Sequence, residues 1–147
     1  MHILVLLATA TLGAATPTPS AWTHAVPINH DGTQATATYR ALPDVTTRQV
    51  GMAAGTRPSS VRCDWRAAIM VERQLVAAGK AATSVRQLPA MKTLKGSRPG
   101  DCHANQRNID SDIASRSGAI NAHLLRVAEQ DQRDLRAEIA TLAPPTG

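Results

Sequence analysis

Aromatic side chains are nearly absent from the 147-residue chain, which contains two tryptophans, one tyrosine and no phenylalanine. Proteins that bind single-stranded nucleic acid stack successive bases on aromatic side chains along a basic groove. The strand pattern described below assigns at least two of the three aromatics to the core. We therefore do not expect nucleic acid as a partner, although the formal net charge is +5.

Cysteine occurs only twice, as Cys63 and Cys102. A structural zinc site takes four ligands, so two thiols alone do not form one, and their spacing is not that of a redox-active CxxC pair. In an exported chain, two cysteines are most simply a disulfide. The sequence predicts a Cys63–Cys102 disulfide whose loop of about 40 residues contributes on the order of 4 kcal/mol in the chain-entropy model.

A long apolar run occurs only at the N-terminus. The segment MHILVLLATATLGAA combines an apolar stretch with small residues at its end, which is typical of a secretory signal peptide, although it carries no Lys or Arg. A transmembrane anchor is disfavoured because the run is shorter than the ~20 residues that a bilayer requires, and no later segment is long enough. We expect an exported protein, periplasmic or extracellular. The predicted organisation is a signal peptide, a flexible linker, one domain and a disordered tail, at residues 1–15, 16–21, 22–142 and 143–147.

Motifs for catalysis and metal binding are also missing. The sequence contains no nucleophile elbow, no phosphate-binding loop and no HExxH. Asp110 and Asp112 are two residues apart on a predicted helix, where their side chains diverge. We expect no enzymatic activity, no catalytic residue and no cofactor.

Neither pair of histidines can share an ion within one strand or helix, and a site assembled across elements is the alternative. His24 and His30 are six residues apart on a predicted strand, and His103 and His123 are 20 apart on a predicted helix. We expect no metal site, with His24 stacked on Tyr39 and the other three histidines in solvent.

A first hairpin is indicated around Asp31-Gly32, a strong two-residue turn. If His30 pairs with Thr33, the apolar residues of both strands lie on one face, so turn chemistry and alternation agree. Pro27 lacks a backbone donor, which indicates that the first strand is at an edge.

A second hairpin is indicated around the loop GTRP, Gly55–Pro58. Pairing Ala54 with Ser59 places Val50 opposite Cys63. The returning strand VRCDWRAAIMVE alternates between apolar and polar residues, which predicts that Cys63 points into the core.

The segment 76–100 is ambiguous. Gly79-Lys80 is compatible with a further hairpin ending near Leu88 or with a helical turn. Pro89, Pro99 and two glycines predict a loop or crossover for the rest.

A basic connector spans residues 73–107, where seven cations accompany one acid, Asp101. Its candidate anion-binding residues are Arg86, Lys92, Lys95 and Arg98. Arg-Pro occurs in two predicted turns, at Arg57-Pro58 and at Arg98-Pro99. Arg98 is the better candidate of the two arginines, because it has cationic neighbours and a helix N-terminus beside it.

From Cys102 the spacing of apolar residues becomes helical, and Pro144-Pro145 ends the pattern. Asp101 is a candidate N-cap, and Gly118 is where the helix would kink or split. Asp112 and Arg116 are spaced for an ion pair on the exposed face. The predicted apolar stripe consists of Ile109, Ile113, Ile120, Leu124, Val127, Leu135, Ile139 and Leu142.

These patterns predict an α+β fold in which an antiparallel sheet of about four strands, in two hairpins, is packed by a long C-terminal amphipathic helix and closed by one disulfide. We expect a small, non-enzymatic envelope binding or accessory protein. Its connector would contact anionic components such as lipopolysaccharide or phospholipid headgroups, or an acidic protein partner. The structural interpretation is that the connector is a solvated loop whose charges complement the acidic helix.

The alternative is a structural or partner-binding protein that acts through its C-terminal helix, as a homodimer or as a docking face. Ser117 and Asp131 interrupt the stripe, which weakens the coiled-coil form of this hypothesis.

Overall fold

The chain forms one antiparallel sheet of four strands followed by two helices. The computed structural model describes residues 22–30, 32–53, 55–56, 59–79 and 82–142. The predicted signal peptide, linker and C-terminal tail lie outside these residues. The elements are β1 (Thr23–His30), β2 (Thr33–Val50), β3 (Arg62–Ala77), β4 (Ala82–Pro99), α1 (Gln106–Ser115) and α2 (Ser117–Leu142). None of the described helices is both long and apolar enough to cross a membrane.

The strands follow one another in the order β1-β2-β3-β4. The first hairpin has the predicted register, with His30 opposite Thr33 and His24 opposite Tyr39. Gly32 adopts a φ of 79°, as a tight turn of this kind requires. β1 lies at the edge of the sheet, as the position of Pro27 predicted.

The register of the second hairpin differs from the prediction by one residue. Val50 lies opposite Arg62, not Cys63, and the Ser60 N–H donates to the Met52 carbonyl. An odd number of residues therefore connects the two strands, whereas the predicted four-residue loop required an even number. The alternation of β3 is as predicted, because Cys63 and every second residue after it are buried.

The segment after β3 forms a strand, so the hairpin alternative is confirmed as far as Leu88, and the prediction of a loop or crossover for the rest is wrong. β4 pairs with β3 from Ala82 to Pro99, well beyond Leu88. Met91 lies opposite Met70, and Leu88 lies opposite Val71, so Pro89 falls in a bulge where its missing N–H is tolerated. Pro89 and Gly96 therefore lie inside an edge strand and do not end it.

Gly96 of β4 lies opposite Trp65 of β3, and only glycine fits there. A Cβ at Gly96 would lie 2.4 Å from carbon atoms of the Trp65 ring, closer than any side chain tolerates. The indole is buried, so the absence of a side chain at Gly96 makes room for it.

The helical region begins later than predicted and is split. Residues 102–105 form a turn, and α1 begins at Gln106. Asp101 caps that turn, not a helix, since its Oδ1 accepts the Ala104 N–H at 2.8 Å. The break between the helices lies at Arg116, two residues before Gly118, the residue at which we expected it.

The helices pack on one face of the sheet, which we call the covered face; the other is the open face. The predicted stripe is buried at Ile109, Ile113, Ile120, Leu124, Val127, Leu135 and Ile139. Cys63 in β3 and Cys102, just before α1, form the predicted disulfide, with a Cα–Cα distance of 4.8 Å. The bond fastens the start of the helical region to the beginning of β3, an inner strand of the sheet.

Candidate functional site

The candidate anion-binding residues all lie on β4, an edge strand whose sequence contains no Asp or Glu. The predicted connector of residues 73–107 is therefore not a flexible strip, because it consists of the end of β3, β4 and the beginning of α1. The cations are held at intervals set by a paired strand. Such a surface loses little conformational entropy when it binds.

The alternation of β4 divides its cations between the two faces. Arg86, Lys92 and Arg98 lie opposite inward-facing residues of β3, at the margin of the covered face, whereas Lys95 lies opposite Arg66 on the open face. Arg86 and Lys95 are exposed, and Lys92 is half-buried. Because β4 has no described neighbour on its outer side, cations of both faces are accessible along this edge.

Arg98 is already engaged by a carboxylate. Its Nε donates to Oδ2 of Asp112 at 2.8 Å, and its Nη2 donates to Oδ1. These hydrogen bonds lower the pKa of Asp112 and raise that of Arg98. The predicted pair of Asp112 with Arg116 is not formed, because Asp112 binds Arg98 instead. Arg98 thus fastens α1 to the end of β4.

Two arginines of the helical region extend the cationic surface of β4. Arg116 donates from Nη1 to the Lys95 carbonyl at 2.9 Å, and its guanidinium lies 5.1 Å from the centroid of the Trp65 ring. Arg126 lies close enough to His123 to act on its pKa, as does Lys92. We call the five residues Arg86, Lys92, Lys95, Arg116 and Arg126 the basic edge.

His123 is buried beneath this edge, which contradicts the expectation of a solvated side chain. It is 7% exposed, and its Nε2 has no hydrogen-bond partner in the described part of the chain. Burial lowers its pKa, and the positive charges of Lys92 and Arg126 lower it further. Its spacing of three residues from Ile120 on the apolar stripe was the sequence signal for this position.

A buried ionic cluster, which the sequence interpretation missed, joins α2 to the sheet. Arg73 is 0% exposed, and its Nη1 donates to Oδ2 of Asp131 at 2.7 Å. Its Nη2 binds Glu138, which also accepts the Ser84 hydroxyl. The Tyr39 hydroxyl donates to Asp131 at 3.0 Å. Burial and the neighbouring carboxylate raise the pKa of Tyr39.

The polar groups of this cluster are engaged with one another. Asp131 and Glu138 are both paired with Arg73, and the Tyr39 hydroxyl donates its hydrogen bond to Asp131. Within the described ranges, no group of three or more His, Cys, Asp or Glu residues is arranged to hold a metal ion. Arg73, which we counted among the connector's cations, is unavailable to an external ligand because it is fully buried.

The chain is thus a disulfide-bridged α+β protein with one four-stranded antiparallel sheet, and the edge strand β4 contains no Asp or Glu. Comparisons with protein-family models, with curated proteins and with solved structures found no match.

Proposed function

We propose that this chain is an exported, non-enzymatic accessory protein of the cell envelope that binds anionic surfaces through its basic edge. The observation that carries the proposal is the contrast between two sets of cations. Arg62, Arg73 and Arg98 have carboxylate partners. The five members of the basic edge form no ion pair with any described residue. Arg116 lies over the Trp65 ring and its charge also acts on Asp112, so the charges left to attract an anion are those of Arg86, Lys92, Lys95 and Arg126.

The spacing of the basic edge suits an extended array of phosphates better than a single small anion. Its cations are spread along β4 and the adjoining helices, and no acid of β4 opposes them. Each Lys or Arg near an anionic lipid surface contributes about 1 kcal/mol, so the affinity arises from the sum. Phospholipid headgroups and lipopolysaccharide both present such phosphates.

The disulfide supports the exported location. Disulfides persist in the periplasm and outside the cell, whereas cytosolic thiols are kept reduced. The Cys63–Cys102 bond joins the buried start of β3 to the turn before α1, and its presence supports folding in an oxidising compartment.

The proposal is tested by measuring binding to vesicles that contain phosphatidylglycerol, with phosphatidylcholine vesicles as the neutral control and lipopolysaccharide as a second anionic ligand. We expect association only with the anionic ligands, weakening as salt is added because exposed charges are screened. Replacing Arg86, Lys92 and Lys95 together with Ser should weaken binding roughly 100-fold. Equal binding to neutral and anionic vesicles would contradict the proposal.

A second candidate is partner binding through the outer face of α2. Leu125 is 45% exposed there, whereas Leu124 and Leu135 of the stripe are buried against the sheet. A partner would therefore contact the face that carries Leu125. Leu125→Ser should then abolish a specific complex without lowering the melting temperature, and Leu124→Ser should lower the melting temperature because it disrupts the core.

A further inference from the structure

Half of β2 has no paired strand on one side among the described residues. β1 pairs with β2 only as far as Thr23 opposite Arg40, and one further bond joins the Ala41 N–H to the Trp22 carbonyl. β2 continues to Val50, paired only with β3. We call residues 42–50 the free β2 segment, since no strand among the described residues lies on its other side.

The direction of the backbone groups on this segment follows from the ladder. In an antiparallel sheet, successive residues point their N–H and C=O groups to opposite sides. The Ala41 N–H points towards β1, so Val45, Thr47 and Gln49 direct both groups to the free edge. Pro43 shares this orientation and has no N–H to satisfy, which is the usual position of proline in a sheet.

We propose that the free β2 segments of two copies of this chain pair antiparallel about a twofold axis at Thr46. In this register Val45 of one copy exchanges both backbone hydrogen bonds with Thr47 of the other. Each segment pairs over its whole length, from Leu42 to Val50, and the two sheets become continuous.

The charges of the segment select this register. With the axis at Thr46, Asp44 of each copy lies opposite Arg48 of the other, in the non-hydrogen-bonded positions where side chains approach most closely. An axis at Asp44 would oppose two carboxylates, and an axis at Arg48 would oppose two guanidiniums. Only the Thr46 axis matches every charge of the segment with its opposite.

Arg48 is available for this contact. Its neighbour across the strand is Asp64; the charge of Arg48 contributes to lowering the pKa of this carboxyl, but its Oδ1 accepts from Ser97 at 2.7 Å and from Arg62 at 3.2 Å. Arg48 itself makes no ion pair in the part of the chain that the structure describes. Asp44 lies opposite Ala68, which offers it no charge.

Apolar burial and the ends of the strands fit the same pairing. Val45 is 37% exposed and borders a groove of about 340 Å³ that Ile109 and Cys102 also line. The pairing brings Val45 of the second copy beside this groove, which removes both valines from water. Gly51, with a φ of 93°, bends the chain after Val50. In the proposed dimer Val50 lies opposite Leu42 of the other copy, so β2 turns away before it reaches Trp22, which bonds to Ala41 there.

The test is the oligomeric state of the full chain by sedimentation equilibrium, with charge-reversal variants. The wild type should be a dimer that dissociates on dilution. Asp44→Arg and Arg48→Asp should each weaken it by roughly tenfold or more, because two attractive pairs become repulsive. An equimolar mixture of the two variants should recover the wild-type affinity, since every opposed pair is then again an Arg facing an Asp.

A backbone variant tests the edge without changing charge. Thr47→Pro removes an N–H that points to the free edge and not to β3, whereas Thr47→Ala retains it. We expect a monomer for Thr47→Pro and a dimer for Thr47→Ala. A wild type that stays monomeric at its highest soluble concentration would overturn the proposal, even if another peptide pairs with this edge. Dimers that the charge variants leave unchanged would overturn it equally.

Discussion

Arg73 of β3 and Asp131 of α2 form a buried ion pair, with Nη1 of the arginine 2.7 Å from Oδ2 of the aspartate. The two residues are 58 positions apart in the chain, and the pair connects the centre of the sheet to the middle of the C-terminal helix. A charge that leaves water requires a compensating partner. The orientation of α2 on the sheet is therefore coupled to this contact.

Removal of one partner of the pair should be costly. Asp131→Ala should lower the free energy of unfolding by roughly 3 kcal/mol, because the buried Arg73 keeps only the partly exposed Glu138 as a charge partner and the Tyr39 hydroxyl loses its acceptor. Asp134→Ala, on the exposed side of α2, is the matched control and should change stability little. Urea denaturation measures both values. A cost for Asp131→Ala that is no larger than the control's would show that the pair does not stabilise the fold.

Protonation of His123 should destabilise the protein in mild acid. Its folded-state pKa lies below the ordinary value of 6.5, so the unfolded chain binds the proton more readily. Stability is therefore at its full value above about pH 6.5 and falls as pH decreases below it. His123→Gln should reduce this part of the pH dependence in urea titrations. Lys92→Met removes a repulsive charge and should raise the pKa of His123 measured by NMR; an unchanged or lower value would contradict this origin of the shift.

Reduction of the disulfide should cost a large share of the stability. The cysteines are 39 residues apart, and the chain-entropy model gives about 4 kcal/mol for a loop of this size. Cys63→Ala/Cys102→Ala should lower the midpoint of denaturation accordingly. The intact mass of the purified protein should rise by two hydrogen atoms with reductant, and an unchanged mass would refute the bond.

Two glycines should respond in opposite ways to alanine. Gly96→Ala places a methyl group against the buried Trp65 ring and should lower stability by roughly 1–3 kcal/mol, as overpacking does. Gly118 has open space around it in α2, so Gly118→Ala should raise stability by up to about 1 kcal/mol. Equal effects of the two substitutions in thermal unfolding would contradict the packing of β4 on Trp65.

The first hairpin was predictable because two independent signals agree there, the Asp31-Gly32 turn and the alternation on both sides of it. The second register was not, because the residues of its loop do not reveal how many of them leave the ladder. The continuation of β4 beyond Leu88 was missed for a related reason. Pro89 and Gly96 break an isolated strand, and only the bulge opposite β3 and the bulk of Trp65 explain their presence.

The sequence predicted only part of the candidate site: it did not identify Arg116 and Arg126, and it did not predict that Arg98 is paired with Asp112. The sequence identified Arg86, Lys92, Lys95 and Arg98, but the partner of Arg98 depends on how α1 returns to β4. The burial of Arg73 is indicated by the sequence pattern of β3. It continues the inward alternation of β3, and Asp131, which interrupts the apolar stripe of the helix, is its complement.

The most direct test of the proposed function compares two variants of equal net charge. One replaces Arg86, Lys92 and Lys95 of the basic edge with Ser, and the other replaces three exposed helical arginines, Arg107, Arg133 and Arg136, with Ser. Affinity for phosphatidylglycerol vesicles is measured for both at the same salt concentration. We expect roughly 100-fold weaker binding for the first variant and near wild-type binding for the second. Equal losses would mean that net charge, and not the basic edge, governs binding.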